Sequence, residues 1–483
     1  MTPAESIPAL RPAPRSMESI LTNRWARLLI PSLSDFFFLA ILVWLFVSGG
    51  GQGWSGLLAD ADVGWHIRTG EYILHHGAVP HQDLYSFSKP GAPWYAWEWL
   101  SDVIDGGLHQ VFGLKGVVLL AALVLALYAT TLVRRMVWRG THLFLAMLVS
   151  LLGIGASTIH FLARPHVFTL LLLSVAVWMI EADRLRPTQR IWLLVPLTAV
   201  WTNLHGGFLA LIATLGLTAI GTGIEVWMGS GRTIRDSLRY VNLTVACALA
   251  SLVNPYGWNL HLHVGQYLQS GWIRNMVQEF QSPSFRTESM LQYEALLLVG
   301  LIACAGLLRR RHIVEALWIA FWAHMSLGSV RHVPVFIAVC APIIATEAAM
   351  WWNAFTQDSH KNSLPGILNQ MAADSMAGFR RTSVLPWAVA LGLVLIGAPI
   401  QWPQDFPKEL FPIKMVRQHA DLIARSRVLT TDQWGRLPDL QEPWSESVRR
   451  RPQRFLRRNR WQGVCPGPKR ALALARMDAE VQL

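Results

Sequence analysis

Long uncharged apolar runs recur between residues 28 and 400, and they restrict the fold more than any other feature of the chain. A run of about 17–25 such residues can cross a bilayer as a helix, because in hydrocarbon the backbone must satisfy its own N–H and C=O groups. Hydropathy places about eleven spans, near 28–48, 114–132, 143–159, 166–180, 191–202, 208–227, 241–253, 291–308, 314–327, 334–349 and 384–400. The 483 residues are 52% hydrophobic and 15% charged, whereas soluble domains carry roughly 25% charged residues. The expectation is an all-α integral membrane protein of about eleven transmembrane helices.

Cationic side chains fix the expected orientation. Arg24 and Arg27 precede the first span, and Arg134, Arg135 and Arg139 follow the second. Arg184, Arg186 and Arg190, then Arg232, Arg235 and Arg239, then Arg309, Arg310 and Arg311, follow later spans, and Arg380 and Arg381 precede the last. All fall on one side, which the positive-inside rule makes cytoplasmic. The net charge of +12 is no sign of nucleic-acid binding: residues 436–483 alone hold eleven Lys/Arg against five Asp/Glu, half of the excess. The first run has no small-residue cleavage site and reads as an uncleaved anchor. Residues 1–27, with Pro3, Pro8, Pro12 and Pro14, read as a disordered cytoplasmic tail. Cys247, Cys304, Cys340 and Cys465 have no paired spacing for a disulfide framework or a metal.

Polar residues suited to chemistry collect on the opposite, outer side. The first outer loop, 49–113, carries Asp60 and Asp62, with Trp65 and His66 close behind. Two carboxylates just outside a membrane helix can hold a cation or accept a proton, though an exposed acidic turn has the same sequence. Val63, Ile67 and Leu74 fall at near-helical spacing, and Trp97, Leu100, Ile104, Leu108 and Val111 form a second stripe. Both suit helices lying in the membrane interface, joined by a loop over 77–93. Later outer segments bring Arg164 and His166, Asn203 and His205, Asn254 to Gly257, and Arg331 and His332. Plain structural readings stand beside these. A lone His at a helix end is often only interfacial, as read for His75, His76, His81, His109, His261 and His263. Pro165 and Pro255 mark helix boundaries, and Gly206-Gly207 permits close packing. His160 and His166 lack a third ligand for a metal.

The ordered set Asp60-Ala61-Asp62-Val63-Gly64-Trp65-His66 with Glu71, then Pro93-Trp94, Trp97-Glu98-Trp99-Leu100, Ala163-Arg164-Pro165-His166, Asn203-Leu204-His205-Gly206-Gly207-Phe208 and Asn254-Pro255-Tyr256-Gly257, resembles bacterial polytopic proteins related to GT-C-fold glycosyltransferases. That class includes protein O-mannosyltransferases and aminoarabinose transferases, and the resemblance covers 28–435. It implies transfer of a sugar from a polyprenyl-phosphate carrier to an acceptor (lipid, glycan or protein) outside the cytoplasm, by a multi-pass protein of the bacterial inner membrane. Asp60 and Asp62 would then stand at the catalytic centre, one as general base and the other orienting the acceptor or holding a divalent cation, magnesium or manganese. His66, Arg164, His166, Asn203, His205, Arg331 and His332 would serve substrate and leaving phosphate, since Arg matches phosphate geometry and charged His donates to it. Two other readings remain: a transporter or flippase of a lipid-linked saccharide, and a non-catalytic envelope scaffold.

The character of the chain changes after Trp434-Gly435. Residues 401–435 begin an extracytoplasmic segment that, in the resembled family, continues as a soluble domain. Residues 436–483 instead carry Arg449-Arg450-Arg451 and Arg457-Arg458 with no hydrophobic period. Back-translation with synonymous codons and removal of one nucleotide yields a family-like strand and helix pattern. The tail is therefore expected to be a frameshift product, disordered and without function. The coding DNA checks this: an open, family-like alternative frame from residue 435 onward is the expected finding, and a closed one ends the idea.

Overall fold

The structure is a computed structural model describing residues 29–48, 54–85, 90–379, 383–395 and 402–426. The expected cytoplasmic tail, Arg24, Arg27, Arg380, Arg381, residues 396–400 of the last span and the tail from 427 onward lie outside the described residues.

Helix α1 (Leu33–Ser48) is followed by the outer-loop pair α2 (Asp62–His76) and α3 (Trp99–Phe112). Then come α4 (Leu114–Trp138), α5 (Leu143–Ala156), α6 (His166–Leu185), α7 (Leu194–Leu204), α8 (Phe208–Trp227), α9 (Ile234–Ala250) and α10 (Trp258–Gln269). The remainder is α11 (Glu288–Arg309), α12 (Ile313–Gly328), α13 (Val333–Thr356), α14 (Leu364–Phe379) and α15 (Leu385–Leu395), with short turns between. Among the described residues the chain is helix and loop, with one isolated bridge between Gln82 and Pro93. Five helical stretches are long and apolar enough to cross a membrane: α4, α6, α8, α11 and Val330–Thr356, which contains α13. They hold the expected spans at 114–132, 166–180, 208–227, 291–308 and 334–349. The spans at 28–48, 143–159 and 314–327 coincide with shorter apolar helices. The span at 191–202 is split between a 3-10 turn and the short α7, and that at 241–253 begins inside α9.

Helix α13 is the hub. Every residue from Val333 to Ala345 is buried, and α4, α5, α6, α11 and α12 pack around it. Its middle contains Pro342, which offers no N–H to the carbonyl four residues earlier. That carbonyl, Ala338 O, instead accepts from Arg135 Nη1 at 2.7 Å, and Arg135 Nη2 reaches Val339 O at 3.0 Å. Arg135 is fully buried and also forks onto Glu181, both oxygens at 2.6 Å. One guanidinium of α4 thus completes the proline gap of α13 and pins α6 beside it.

Several of the arginines on which the expected orientation rests have structural partners. Arg139 pairs with Glu181 at 2.7 Å, Arg239 with Asp183 at 2.9 Å, and Arg310 with Glu347 at 2.5 Å. Glu225 of α8 takes both Arg184 and Arg232 at 3.1 Å. Removing one partner of a buried ion pair costs about 3–5 kcal/mol, because the other charge is left buried and uncompensated. Arg135→Met is expected to lose that amount of stability, measured as unfolding in detergent, and Arg135→Met/Glu181→Met to recover part of it. A single variant as stable as the wild type would show that the bridge does not hold the hub.

Candidate functional site

The loops at the opposite end of the bundle converge through backbone contacts. Helices α2 and α3 cross so closely that a Cβ on Gly70 would stand 1.7 Å from Asp102 O, and one on Gly106 2.5 Å from Glu71 N. Only glycine permits this approach, and it presses the polar face of α3 inward. Ser101, Asp102, Asp105 and Gly106 are the buried residues of α3, while the expected apolar stripe is only half-buried and ends at the exposed Val111. The stripe thus runs from a half-buried start, where Leu108 packs against the core, to an exposed end. Trp99 Nε1 donates to Asn203 Oδ1 at 2.7 Å, and Ser101 Oγ to Leu204 O at 2.6 Å, fastening α3 to α7. Tyr256 accepts from the Ala96 N–H at 2.8 Å and donates to Pro80 O at 3.1 Å. Further along, Val330 N donates to Gln281 O and Ser329 Oγ to Glu279 O, both at 2.8 Å.

These ties gather one charged cluster. Arg164 Nη1 lies 2.9 Å from Asp60 and 3.3 Å from Glu279, and its Nη2 lies 3.0 Å from Asp62. Burial pulls the guanidinium toward deprotonation, but Asp60, Asp62 and Glu279 outweigh it and hold it above the usual arginine range. The Asp62 N–H donates to Asp60 Oδ1 at 2.8 Å, so the D-x-D pair is a turn that opens α2 with both carboxylates toward one cation.

Glu98 lies between two imidazoles, 3.7 Å from His66 Nε2 and 3.4 Å from His205 Nε2. Burial pushes its carboxyl up to about 7, with Arg164 and Arg331 opposing and Asp62 adding to the rise. His205 is pushed down to about 3, first by burial and then by the fields of Arg331 and Arg164. The Gly207 N–H donates to its Nδ1 at 3.0 Å, and the Thr169 hydroxyl stands 2.8 Å from the same atom. The neutral ring therefore carries its proton on Nε2, toward Glu98. On the far side His66 Nδ1 is 2.7 Å from Asp102 Oδ1. Burial, then Glu98 and Asp105, hold Asp102 well above the carboxylate range. Stacked Tyr95 and His263, with Trp97 and Tyr267, make an aromatic flank beside Glu98.

The expected residues divide. Asp60, Asp62, His66, Arg164 and His205 meet in the cluster. Arg331 joins it through its field on Glu98 and lies 4.3 Å above the Phe280 ring. His166 is buried, with Nε2 2.7 Å from the His160 carbonyl. His332 Nδ1 lies 3.2 Å from Met325 O, at the end of α12. Asn203 accepts from Trp99 and donates to Ala199 O and Val253 O, which makes it a clasp between α3, α7 and α9. Charged donation to a phosphate does not suit His205, which burial keeps neutral. Sequence reading passed over Glu98, Asp102 and Glu279 as site residues. Glu98 had a signal, a lone carboxylate set between Trp97 and Trp99, but its partners come from three distant segments.

A divalent cation fits this donor set poorly. Asp60, Asp62 and Glu279 each direct an oxygen at Arg164, whose guanidinium stands where the cation would. Among the described residues no three His, Cys, Asp or Glu side chains are grouped to hold a metal. No family model and no curated protein sequence matches this chain.

Folded Glu98 keeps its proton to about 7, against an ordinary value of 4.5. The folded state therefore binds this proton more tightly, and the contribution of Glu98 to stability falls as pH rises through that window. Glu98→Gln removes the fall, so its unfolding midpoint should decline less than that of the wild type across the window. Asp105, raised by burial alone, cancels in the difference, and the comparison is made in an Asp102→Asn background because the Glu98 charge contributes to the rise of Asp102. Parallel pH profiles would show that Glu98 does not titrate there.

Proposed function

We propose that this protein is a GT-C-like glycosyltransferase with about eleven membrane crossings, the three shorter apolar helices adding to the five long ones and α7, α9 and α15 supplying the rest. On this reading it lies in the bacterial inner membrane, with a cytoplasmic N-terminus and an extracytoplasmic C-terminus. It would move a sugar from a polyprenyl-phosphate donor to a hydroxyl-bearing acceptor on the outer face. The observation that carries the reading is Arg164, a cation held by Asp60, Asp62 and Glu279, next to Glu98, whose proton affinity sits near neutrality. A phosphate leaving group needs the first, and an attacking hydroxyl needs the second.

In the proposed step the acceptor oxygen attacks the anomeric carbon as the bond from that carbon to the phosphate oxygen breaks. The phosphate leaves with the electron pair and faces Arg164 and Arg331. Glu98 takes the hydroxyl proton, and His205 Nε2–H and His66 orient the carboxylate. Asp60 and Asp62 hold Arg164 in place and contact the acceptor. One displacement inverts the anomeric configuration. The buried Arg135–Glu181 pair lies within a turn of the end of α4 rather than at mid-span, so it lends the transporter reading no support.

The test is transfer from labelled polyprenyl-phosphate sugars in membranes, at matched expression. Removing a general base typically costs a factor of roughly 100 or more, and Glu98→Gln is expected to show it. Asp60→Asn, Asp62→Asn and Arg164→Gln should also lose transfer. Activity untouched by all four changes would move catalysis away from this cluster. Failure of the wild type across a broad donor panel, with a frame-corrected tail included, would favour a transporter or scaffold.

A further inference from the structure

At the arginine-bearing end of the bundle lies a cavity of about 1050 Å³ that the proposed reaction does not use. Helix α6 separates the two places: it begins at His166, two residues after Arg164 of the loop cluster, and its last turns line the cavity. Twenty residues at 1.5 Å each make that separation roughly 30 Å, about the thickness of a hydrocarbon core.

The cavity wall has two chemistries. Six arginines line it, together with four carboxylates. Arg139, Arg184, Arg232 and Arg310 are engaged with Glu181, Glu225 and Glu347. Arg186 and Arg190 are exposed and form no ion pair with a described carboxylate, so they bring two uncompensated charges to one opening. The other wall is apolar: Trp138 and Trp178, with rings 6.0 Å apart, stand with Val175, Met179, Leu193 and Met350. Trp138, Leu193 and Met350 are exposed large hydrophobics on the bundle surface. Inside, the buried Glu315 Oε2 has no hydrogen-bond partner, and its nearest cation is Arg184 Nη2 at 3.6 Å.

We propose that this cavity binds the phosphate headgroup of an anionic, hydroxyl-bearing membrane lipid. Arg186 and Arg190 take the phosphate, and the acyl chains follow the tryptophan and methionine wall. A headgroup hydroxyl donates to Glu315 Oε2 and completes its bonding. Basic pockets between membrane helices on the positively charged side are suited to such headgroups, and guanidinium forks match phosphate oxygens in pairs. A soluble phosphate ester would satisfy the arginines and leave the apolar wall uncovered, which is why a lipid is the better occupant.

The test is thermal unfolding of the purified full chain in detergent with added short-chain phosphatidylglycerol, phosphatidylcholine or soluble glycerol 3-phosphate, alongside native mass spectrometry of bound lipid. Phosphatidylglycerol should raise the unfolding midpoint saturably and remain bound; the other two should not. Arg186→Gln/Arg190→Gln should weaken its binding by roughly tenfold or more, the loss expected when charged hydrogen bonds are removed. Arg186→Lys/Arg190→Lys keeps the charge that sets orientation and should bind with intermediate affinity. Glu315→Gln, which leaves the arginines in place, should narrow the preference for phosphatidylglycerol over an anionic lipid without headgroup hydroxyls, phosphatidic acid. Equal effects of phosphatidylcholine would reduce the site to acyl-chain adhesion and overturn the proposal. Equal effects of glycerol 3-phosphate would assign the cavity to a soluble ester instead. Unchanged affinity in the glutamine pair would place any lipid elsewhere.

Discussion

Arg135 sits where water does not reach, inside a bundle whose hub helix contains a proline. A carbonyl deprived of its helical donor is costly in such surroundings, and so is a guanidinium without acceptors. Each satisfies the other: Ala338 O and Val339 O take two of the Arg135 donors, and Glu181 takes the remainder and the charge. Helices α5, α11 and α12 pack around α13 beside this contact.

The two ends of the bundle treat charge differently. At the arginine end most carboxylates are matched to guanidinium groups on neighbouring helices, and the result is a brace with Arg186 and Arg190 left over. At the loop end the charges compete. Arg164 has three carboxylates, Glu98 has two imidazoles and the fields of Arg164 and Arg331, and Asp102 is buried beside like charges. Environments that push neighbouring groups apart in proton affinity are the usual mark of acid–base chemistry. The glycine crossing of α2 and α3 makes this possible, because a side chain at Gly70 or Gly106 would separate His66 from Asp102.

Much of this was legible before any coordinates. The long apolar runs named the five helices long and apolar enough to cross a membrane, and the two stripes named α2 and α3. Asp60, Asp62, His66, Arg164 and His205 were legible as candidates because they collect in the outer segments between the apolar runs. The functional weight of Glu98 was not. Its affinity depends on burial and on Arg164 and Arg331, which lie 66 and 233 positions further along the chain. Asn203 and His332 looked similar in sequence to the clustered residues, yet Asn203 is bonded to Trp99 and two backbone carbonyls, and His332 Nδ1 lies against a backbone carbonyl.

What the sequence determined by itself is local and one-dimensional. Hydropathy decides which segments form buried helices, and arginine placement decides which ends share a side, since both depend only on transfer from water. Which polar residues meet was decided by tertiary structure alone. A carboxylate takes its proton affinity from depth and neighbours, and a 2.7 Å contact between His66 and Asp102 rests on two glycines that no spacing rule would single out.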